Sequence, residues 1–295
     1  MTPAVSEFDR LDTVVLKHAR DAFDGVARIA AEWRALGFTE APDFARACDE
    51  YDQFTTLVSA SGATVEWLPP GTDVGLDSIY VRDASIVTPA GLVICRMGKP
   101  PRAGEPRNQR EAFAASGWPV VATIRPPGTI EGGDVVWLDA KTIVVGRGYR
   151  TNDSGIAQLR AAVGDHIDLV VVPLPHWRGP GDVFHLMSVI SPVDRDLAVV
   201  YSPLLSVPFR ELLLDRGYSL VEVPDEEFAT MGANVLAIAP RRVLMVEGNP
   251  VTCARLEAAG AEVTAYAGRE ISVKGGGGPT CLTRPIYRTA APTAC

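Results

Sequence analysis

The sequence lacks the features that mark several protein classes. No apolar run approaches the roughly 20 residues that a membrane-spanning helix needs. No block of consecutive Lys or Arg marks a nucleic-acid surface, and the formal charge of −8 points the other way. The five cysteines are odd in number, scattered and without a C-x-x-C pair, so neither a disulfide framework nor a zinc ribbon is expected. Only four histidines occur, so a dedicated metal cluster is short of ligands. Residues 1–10 carry Glu7 and Asp9 where a secretory leader needs a basic and then an apolar stretch. A cytoplasmic, reducing-compartment protein is therefore expected, with no metal and no cofactor. Neither nucleic acid nor membrane is expected as a partner.

What is present is ordinary globular composition: 295 residues, 47% hydrophobic and 22% charged. A chain of this size buries an ample core without staples. An acidic protein with a negative cleft favours small cationic ligands. Self-association into a homo-oligomer is left open.

The sequence also repeats itself. Four times in succession it runs strand, turn, strand, helix, strand. The opening strands are read at 78–88, 130–138, 183–191 and 234–239, and the second strands at 92–97, 142–146, 197–201 and 243–247. Helices follow at 105–116, 153–163, 208–216 and 250–259, stopping at Gly117, Gly164, Gly217 and Gly260. Third strands follow at 119–124, 168–173, 219–223 and 261–265. A fifth unit is split between the chain ends. Its first strand is 280–286 and its second 13–17, with helices within 21–36 and 43–59 and a last strand at 64–68. A unit that straddles the termini is how a circular array hides its edge strands. The expectation is one α/β domain over 1–295, built from five units of about 50 residues.

Asp83, Glu131, His185, Asn234 and Cys281 stand in or beside the opening strands, one per unit. If the units are arranged radially, these positions converge on the axis. A nucleophile, a proton-transfer group and two anionic substrate holders would then meet. Cys281 follows the run Gly275-Gly276-Gly277-Gly278-Pro279-Thr280, whose glycines allow close backbone approaches. Taken alone, Cys281 is equally well read as a buried packing residue. Cys48, Cys95 and Cys253 lie in helical or apolar stretches and read as packing, and Cys295 ends the chain. Glu131-Gly132-Gly133-Asp134 places two acids at the mouth of an apolar strand. Buried acids without partners are costly, and a cation would explain them. Carboxylates suit a planar guanidinium, and a thiolate attacks its carbon once the charge is held. A histidine can protonate the departing amine and then activate water. The product is a urea such as citrulline.

These residues resemble the guanidino-group-modifying superfamily with the five-bladed α/β propeller (pentein) fold. That superfamily includes dimethylarginine dimethylaminohydrolases, arginine deiminases and amidinotransferases. The landmarks are Val81-Arg82-Asp83, Glu131-Gly132-Gly133-Asp134, Arg150-Thr151-Asn152, His185-Leu186, Gly232-Ala233-Asn234-Val235 and the Gly-rich Cys281 loop. The resemblance implies Cys281 as nucleophile, with His185 as general acid and base and Glu131 assisting. It implies Asp83, Glu131 and Asp134 as guanidinium-side carboxylates, and Arg150 and Arg96 as holders of the substrate's α-carboxylate. Deiminases and amidinotransferases generally carry His-x-Asp, whereas this chain has His185-Leu186-Met187. With the Arg-Thr-Asn motif, this points to dimethylarginine hydrolysis. Arginine deiminase or dihydrolase chemistry comes second and amidino transfer third. From other classes, a metal-dependent ureohydrolase needs more His and Asp ligands than are found here. A non-catalytic binding module on the same fold is opposed by the joint presence of Cys281, His185 and both acids.

Overall fold

The computed structural model describes residues 6–181 and 184–290. Strand β1 (Arg10–Leu16) is followed by helices α1 (Ala19–Phe23), α2 (Val26–Leu36) and α3 (Phe44–Ala60), then β2 (Thr64–Trp67). Next come β3 (Ser85–Thr88), β4 (Gly91–Ile94), α4 (Glu105–Ala115) and β5 (Val120–Thr123). The third run is β6 (Val135–Asp139), β7 (Thr142–Arg147), α5 (Asp153–Val163) and β8 (Asp168–Pro173). The fourth is β9 (Ile190–Asp194), β10 (Leu197–Val200), α6 (Val207–Asp215) and β11 (Ser219–Glu222), with short α7 (Asp225–Phe228) after it. The fifth is β12 (Leu236–Ala239), β13 (Arg242–Val246), α8 (Pro250–Ala258) and β14 (Glu262–Tyr266), and β15 (Arg284–Thr289) ends the described chain.

These strands form five three-stranded sheets. In each, the middle strand pairs antiparallel with the first and parallel with the third, as in β3–β4–β5 and β6–β7–β8. The sheet β15–β1–β2 follows the same rule with strands from both ends of the chain. The middle strands β4 and β10 are buried at every position and β7 at all but its last. Flanked on both sides, they carry continuous Val, Leu and Ile rather than alternation. The outer strand β5 alternates half-buried and exposed residues, as an edge does.

Hydrogen bonds link each sheet to another. Trp137 on β6 donates to Val87 O on β3 at 3.1 Å. Leu186, just ahead of β9, donates to Asp134 Oδ1 ahead of β6 at 3.0 Å. Val235, ahead of β12, donates to Ser191 Oγ on β9 at 3.0 Å. Arg288 on β15 donates to Ala237 O on β12 at 2.9 Å, and Arg82, ahead of β3, donates to Cys281 O ahead of β15 at 3.2 Å.

One expectation is corrected throughout. The opening strands begin later than the sequence suggests: at Ser85, Val135, Ile190, Leu236 and Arg284. The residues before them form tight turns or single 3₁₀ turns, because their N–H groups bond back along the chain. Asp134 N–H donates to Glu131 O, Ser188 N–H to His185 O, Asn234 N–H to Met231 O and Cys281 N–H to Gly278 O, all at 2.9–3.0 Å. Val183, the expected start of the third opening strand, and the terminal Cys295 lie outside the described residues. No helix among the described residues is long and apolar enough to cross a membrane.

Candidate active site

The turns ahead of the opening strands meet at a cavity of about 270 Å³. Asp77 and Asp83 line it from the turn before β3, His185 from the turn before β9, Asn234 from the turn before β12 and Cys281 from the turn before β15. Glycines set how closely these turns approach. A Cβ on Gly133 would sit 2.6 Å from His185 Nδ1 and 2.7 Å from Asp83 Oδ1, so only glycine lets those two groups pack over this turn. A Cβ on Gly277 would meet Tyr80 at 2.4 Å, and one on Gly278 would meet Asn234 Oδ1 at 2.5 Å.

His185 is buried, and its Nε2 lies 2.8 Å from Glu131 Oε2. Its Nδ1 is 3.9 Å from Asp83 Oδ1. Burial opposes a charged imidazole, but Asp83, Asp134 and Glu131 outweigh it and raise His185 to about 9. His185 therefore carries a proton at neutral pH. Burial pushes Glu131 up in turn. The hydrogen bond and charge of His185, with Arg102 and Arg150, overcome this and hold Glu131 well below the usual carboxylate range.

Glu131 is fully buried and its oxygens are engaged. Oε1 accepts from Gly98 N at 2.8 Å and Lys99 N at 3.1 Å, while Oε2 faces His185 and lies 3.5 Å from Arg150 Nη1. It is not among the groups lining the cavity. Asp134 is also buried behind the cavity, accepting from Thr151 Oγ1 at 2.6 Å and from Leu186 N at 3.0 Å. Burial raises it to about 6 against the pull of His185 and the Thr151 hydrogen bond.

Cys281 is 9% exposed and lines the cavity. Burial and the charge of Asp83 raise its thiol to about 11, against Thr280, Arg82 and Asn234. Asn234 holds the turn that carries it. Its Oδ1 accepts from Thr280 N at 3.0 Å and Thr280 Oγ1 at 2.9 Å, and its Nδ2 lies 3.5 Å from Cys281 Sγ.

The two cavity acids already have basic neighbours. Lys99 Nζ lies 2.6 Å from Asp77 Oδ2. Arg102 Nη1 lies 2.5 Å from Asp83 Oδ2, and Arg102 also takes Glu105 Oε2 at 2.7 Å. Asp83 Oδ1, although buried, has no hydrogen-bond partner among the described residues.

The structure thus brings together Asp83, His185 and Cys281 at one cavity, with Arg150, itself buried, on its wall. Glu131 and Asp134 stand one layer behind. Arg96 is not brought in. Its side chain is exposed, donates to Gly128 O at 3.2 Å and is absent from the cavity lining. Sequence reasoning missed Asp77, Lys99, Arg102 and Arg178, which also line the cavity. Asp77 lies in the 3₁₀ turn Leu76–Ile79, just ahead of the turn that carries Asp83, and this nearness is the signal that could have found it. Arg102 lies in what reads as a polar Pro/Gly loop, and nothing local marks it as buried.

Ligand atoms of Asp83, Glu131 and His185 lie within 4.8 Å of one another, the one such grouping of three among the described residues. A metal there would have to displace the His185 proton and the Glu131–His185 bond. Those two groups fit an ion pair better than a ligand set.

A family model described as N,N dimethylarginine dimethylhydrolase, eukaryotic, matches residues 30–288. The chain is 33% identical to the N(G),N(G)-dimethylarginine dimethylaminohydrolase of Streptomyces coelicolor, over 76% of this chain and 80% of that one. Its fold matches a variant of the Pseudomonas aeruginosa dimethylarginine dimethylaminohydrolase solved with citrulline, with a TM-score of 0.75 and 23% identity, over 95% of this chain and 100% of that one. It also matches the N-terminal domain of a cyanobacterial arginine dihydrolase solved with its substrate. There the TM-score is 0.80 at 17% identity, over 94% of this chain and 98% of that one.

Proposed function

The chain belongs to the dimethylarginine dimethylaminohydrolase family, and from that premise we propose that it hydrolyses the guanidino group of a methylated arginine through Cys281. The observation that carries this reading is the cavity where a thiol, a protonated histidine and an acid with an unpartnered oxygen stand together. An unpartnered buried acceptor is costly unless a ligand meets it. Asp83 Oδ1 would take a guanidinium N–H of the substrate, while Arg102 keeps Oδ2 in place.

The Cys281 thiol, raised to about 11, is protonated at neutral pH in the free protein. A bound guanidinium brings positive charge beside it and favours the thiolate, the thiol proton passing to solvent. Sγ then adds to the guanidino carbon. The C–N bond to the leaving amine breaks as His185 delivers its proton to that nitrogen, and dimethylamine departs. The thiouronium left on Cys281 is attacked by water, whose proton passes to the now neutral His185. Collapse breaks the C–S bond as the hydroxyl proton of the adduct passes to the departing sulfur, releasing citrulline and restoring the thiol. Glu131 acts as a positioning residue, holding His185 in its ring orientation and charge state. Asp134 supports the same turn through Leu186 N.

Arg150 on the wall and Arg178 at the exposed mouth supply cations for the substrate's α-carboxylate. Met187, Phe184, Phe228 and Met231 give the cavity an apolar side. That surface suits N-methyl groups better than an unmethylated amine. The five sheets, each hydrogen-bonded to another, are read as closing into one propeller, with the whole chain as a single catalytic domain.

The test is a comparison of asymmetric dimethylarginine, monomethylarginine, arginine and agmatine, each assayed for ureido product. A methylated arginine should give the highest kcat/KM. The highest value on arginine would replace this reading with a deiminase or dihydrolase. No ureido product from any of the four would overturn it.

A further inference from the structure

Away from the catalytic cavity, a second, small space of about 20 Å³ lies between the turns that lead into β3, β6 and β15. Its wall includes Ser6, Glu7, Arg82, Gly132, Trp137 and Arg284. Arg82 and Arg284 are 2% and 4% exposed, and Arg288 nearby is also 4% exposed. One carboxylate, Glu7, is hydrogen-bonded to this group, with its Oε2 3.2 Å from Arg82 Nη1. Arg82 and Arg284 thus present two guanidinium charges to the space, and Glu7 one carboxylate.

Their hydrogen bonds are also incomplete. Arg82 Nε donates to Thr280 O at 3.1 Å, Arg284 Nη2 donates to Arg82 O, and Arg288 Nη1 donates to Ala237 O at 2.9 Å. Arg82 Nη2, Arg284 Nε, and Arg288 Nε and Nη2 are buried with no acceptor among the described residues. A guanidinium cannot shed its charge at ordinary pH. Several buried donors and a charge surplus are costly unless something negative meets them. Burial, and then Arg82, push Arg284 down to about 9 against the pull of Glu7, Cys95 and Asp83.

We propose that this space is an anion site that holds one monovalent ion of halide size, such as chloride. The volume suits the occupant. A single water-sized body needs roughly 10–15 Å³ by this measure, so one small ion fits and a phosphate or sulfate does not. The chemistry suits it too, since guanidinium N–H groups bind anions strongly when solvent is excluded. The ion would brace the contact between the sheets that hold β3, β6 and β15. Through Arg82 Nε and Thr280 O it would also brace the turn that carries Cys281.

Two measurements on the full chain test this. In the first, thermal unfolding is followed at constant ionic strength as gluconate, too large for the space, is replaced by chloride or bromide. A saturable rise in Tm of about 2–4 °C is expected. Arg284→Met should abolish that halide dependence, and a dependence that survives the substitution contradicts the site. The second measurement does not rely on a variant that folds. Crystals of the unaltered protein soaked in bromide should show an anomalous peak within hydrogen-bonding reach of Arg82 and Arg284. Bromide absent from this space, with a water in its stead, overturns the proposal whatever the melting curves show.

Discussion

Arg102 Nη1 lies 2.5 Å from Asp83 Oδ2, so one oxygen of the acid proposed to meet substrate carries a resident guanidinium. The other, Oδ1, lies 3.9 Å from His185 Nδ1 and has no hydrogen-bond partner among the described residues. Arg102 also serves Glu105, which burial raises to about 7 against the pull of Arg102. Removing one member of a buried ionic cluster leaves uncompensated charge and costs about 3–5 kcal/mol. Arg102→Met should lose about that much in urea unfolding. A loss below about 1 kcal/mol would mean that the cluster is better solvated than its burial implies.

On the proposed mechanism the Glu131–His185 contact sets the pH range of activity. If His185 delivers the proton as proposed, turnover should fall as pH rises through its folded value of about 9. Glu131→Gln keeps the shape and removes a charge, and should move that alkaline limb to lower pH by about one unit or more. An unmoved limb would separate Glu131 from the titrating group. Stability carries the same sign. Folding raises His185 above its ordinary value, so its contribution is complete below about pH 6.5 and is lost as pH rises to about 9. The stability of the unaltered protein relative to His185→Asn should therefore decline across that window.

Gly133 tests the positioning of His185 and Asp83 without touching a titratable group. A Cβ there would stand 2.6 Å from His185 Nδ1 and 2.7 Å from Asp83 Oδ1. Gly133→Ala must push one of them aside. A displacement on the order of 1 Å costs about 100-fold in rate. The expected result is a kcat down by about that factor with the circular dichroism spectrum unchanged. An unimpaired kcat would show that this turn yields freely.

Met187 tests the choice of substrate. It lines the cavity where deiminase-like sequences place an acid. Met187→Asp should shift the ratio of kcat/KM values toward arginine and away from dimethylarginine. An unchanged ratio would assign the choice to other lining residues, with Phe184 and Phe228 first among them.

The repeat was legible because α4, α5, α6 and α8 are followed by a glycine at once or after one residue and β4, β7 and β10 are buried apolar runs, signals carried by neighbouring residues. The placement of Cys281, His185 and Asp83 at one cavity was legible for the same reason, since each occupies the equivalent position of its unit. The ends of the opening strands were not. The residues before Ser85 and Ile190 read as apolar and strand-like, but their N–H groups bond back into turns. Arg96 and Arg102 show the remaining gap. Arg96 falls within the run read as a second strand, and Arg102 lies in the polar connection that follows it. A long-range contact with Asp83, added to the local one with Glu105, holds Arg102 in the interior, while Arg96 turns outward to Gly128 O. Nothing local in the sequence records that difference.

The covalent role of Cys281 is tested most directly by rapid acid quench during turnover of dimethylarginine, followed by peptide mass spectrometry. If Cys281 is the nucleophile, its peptide carries the mass of the substrate less dimethylamine, and Cys281→Ala shows neither adduct nor ureido product. Full turnover in Cys281→Ala, or steady product with the adduct on another residue, would contradict it.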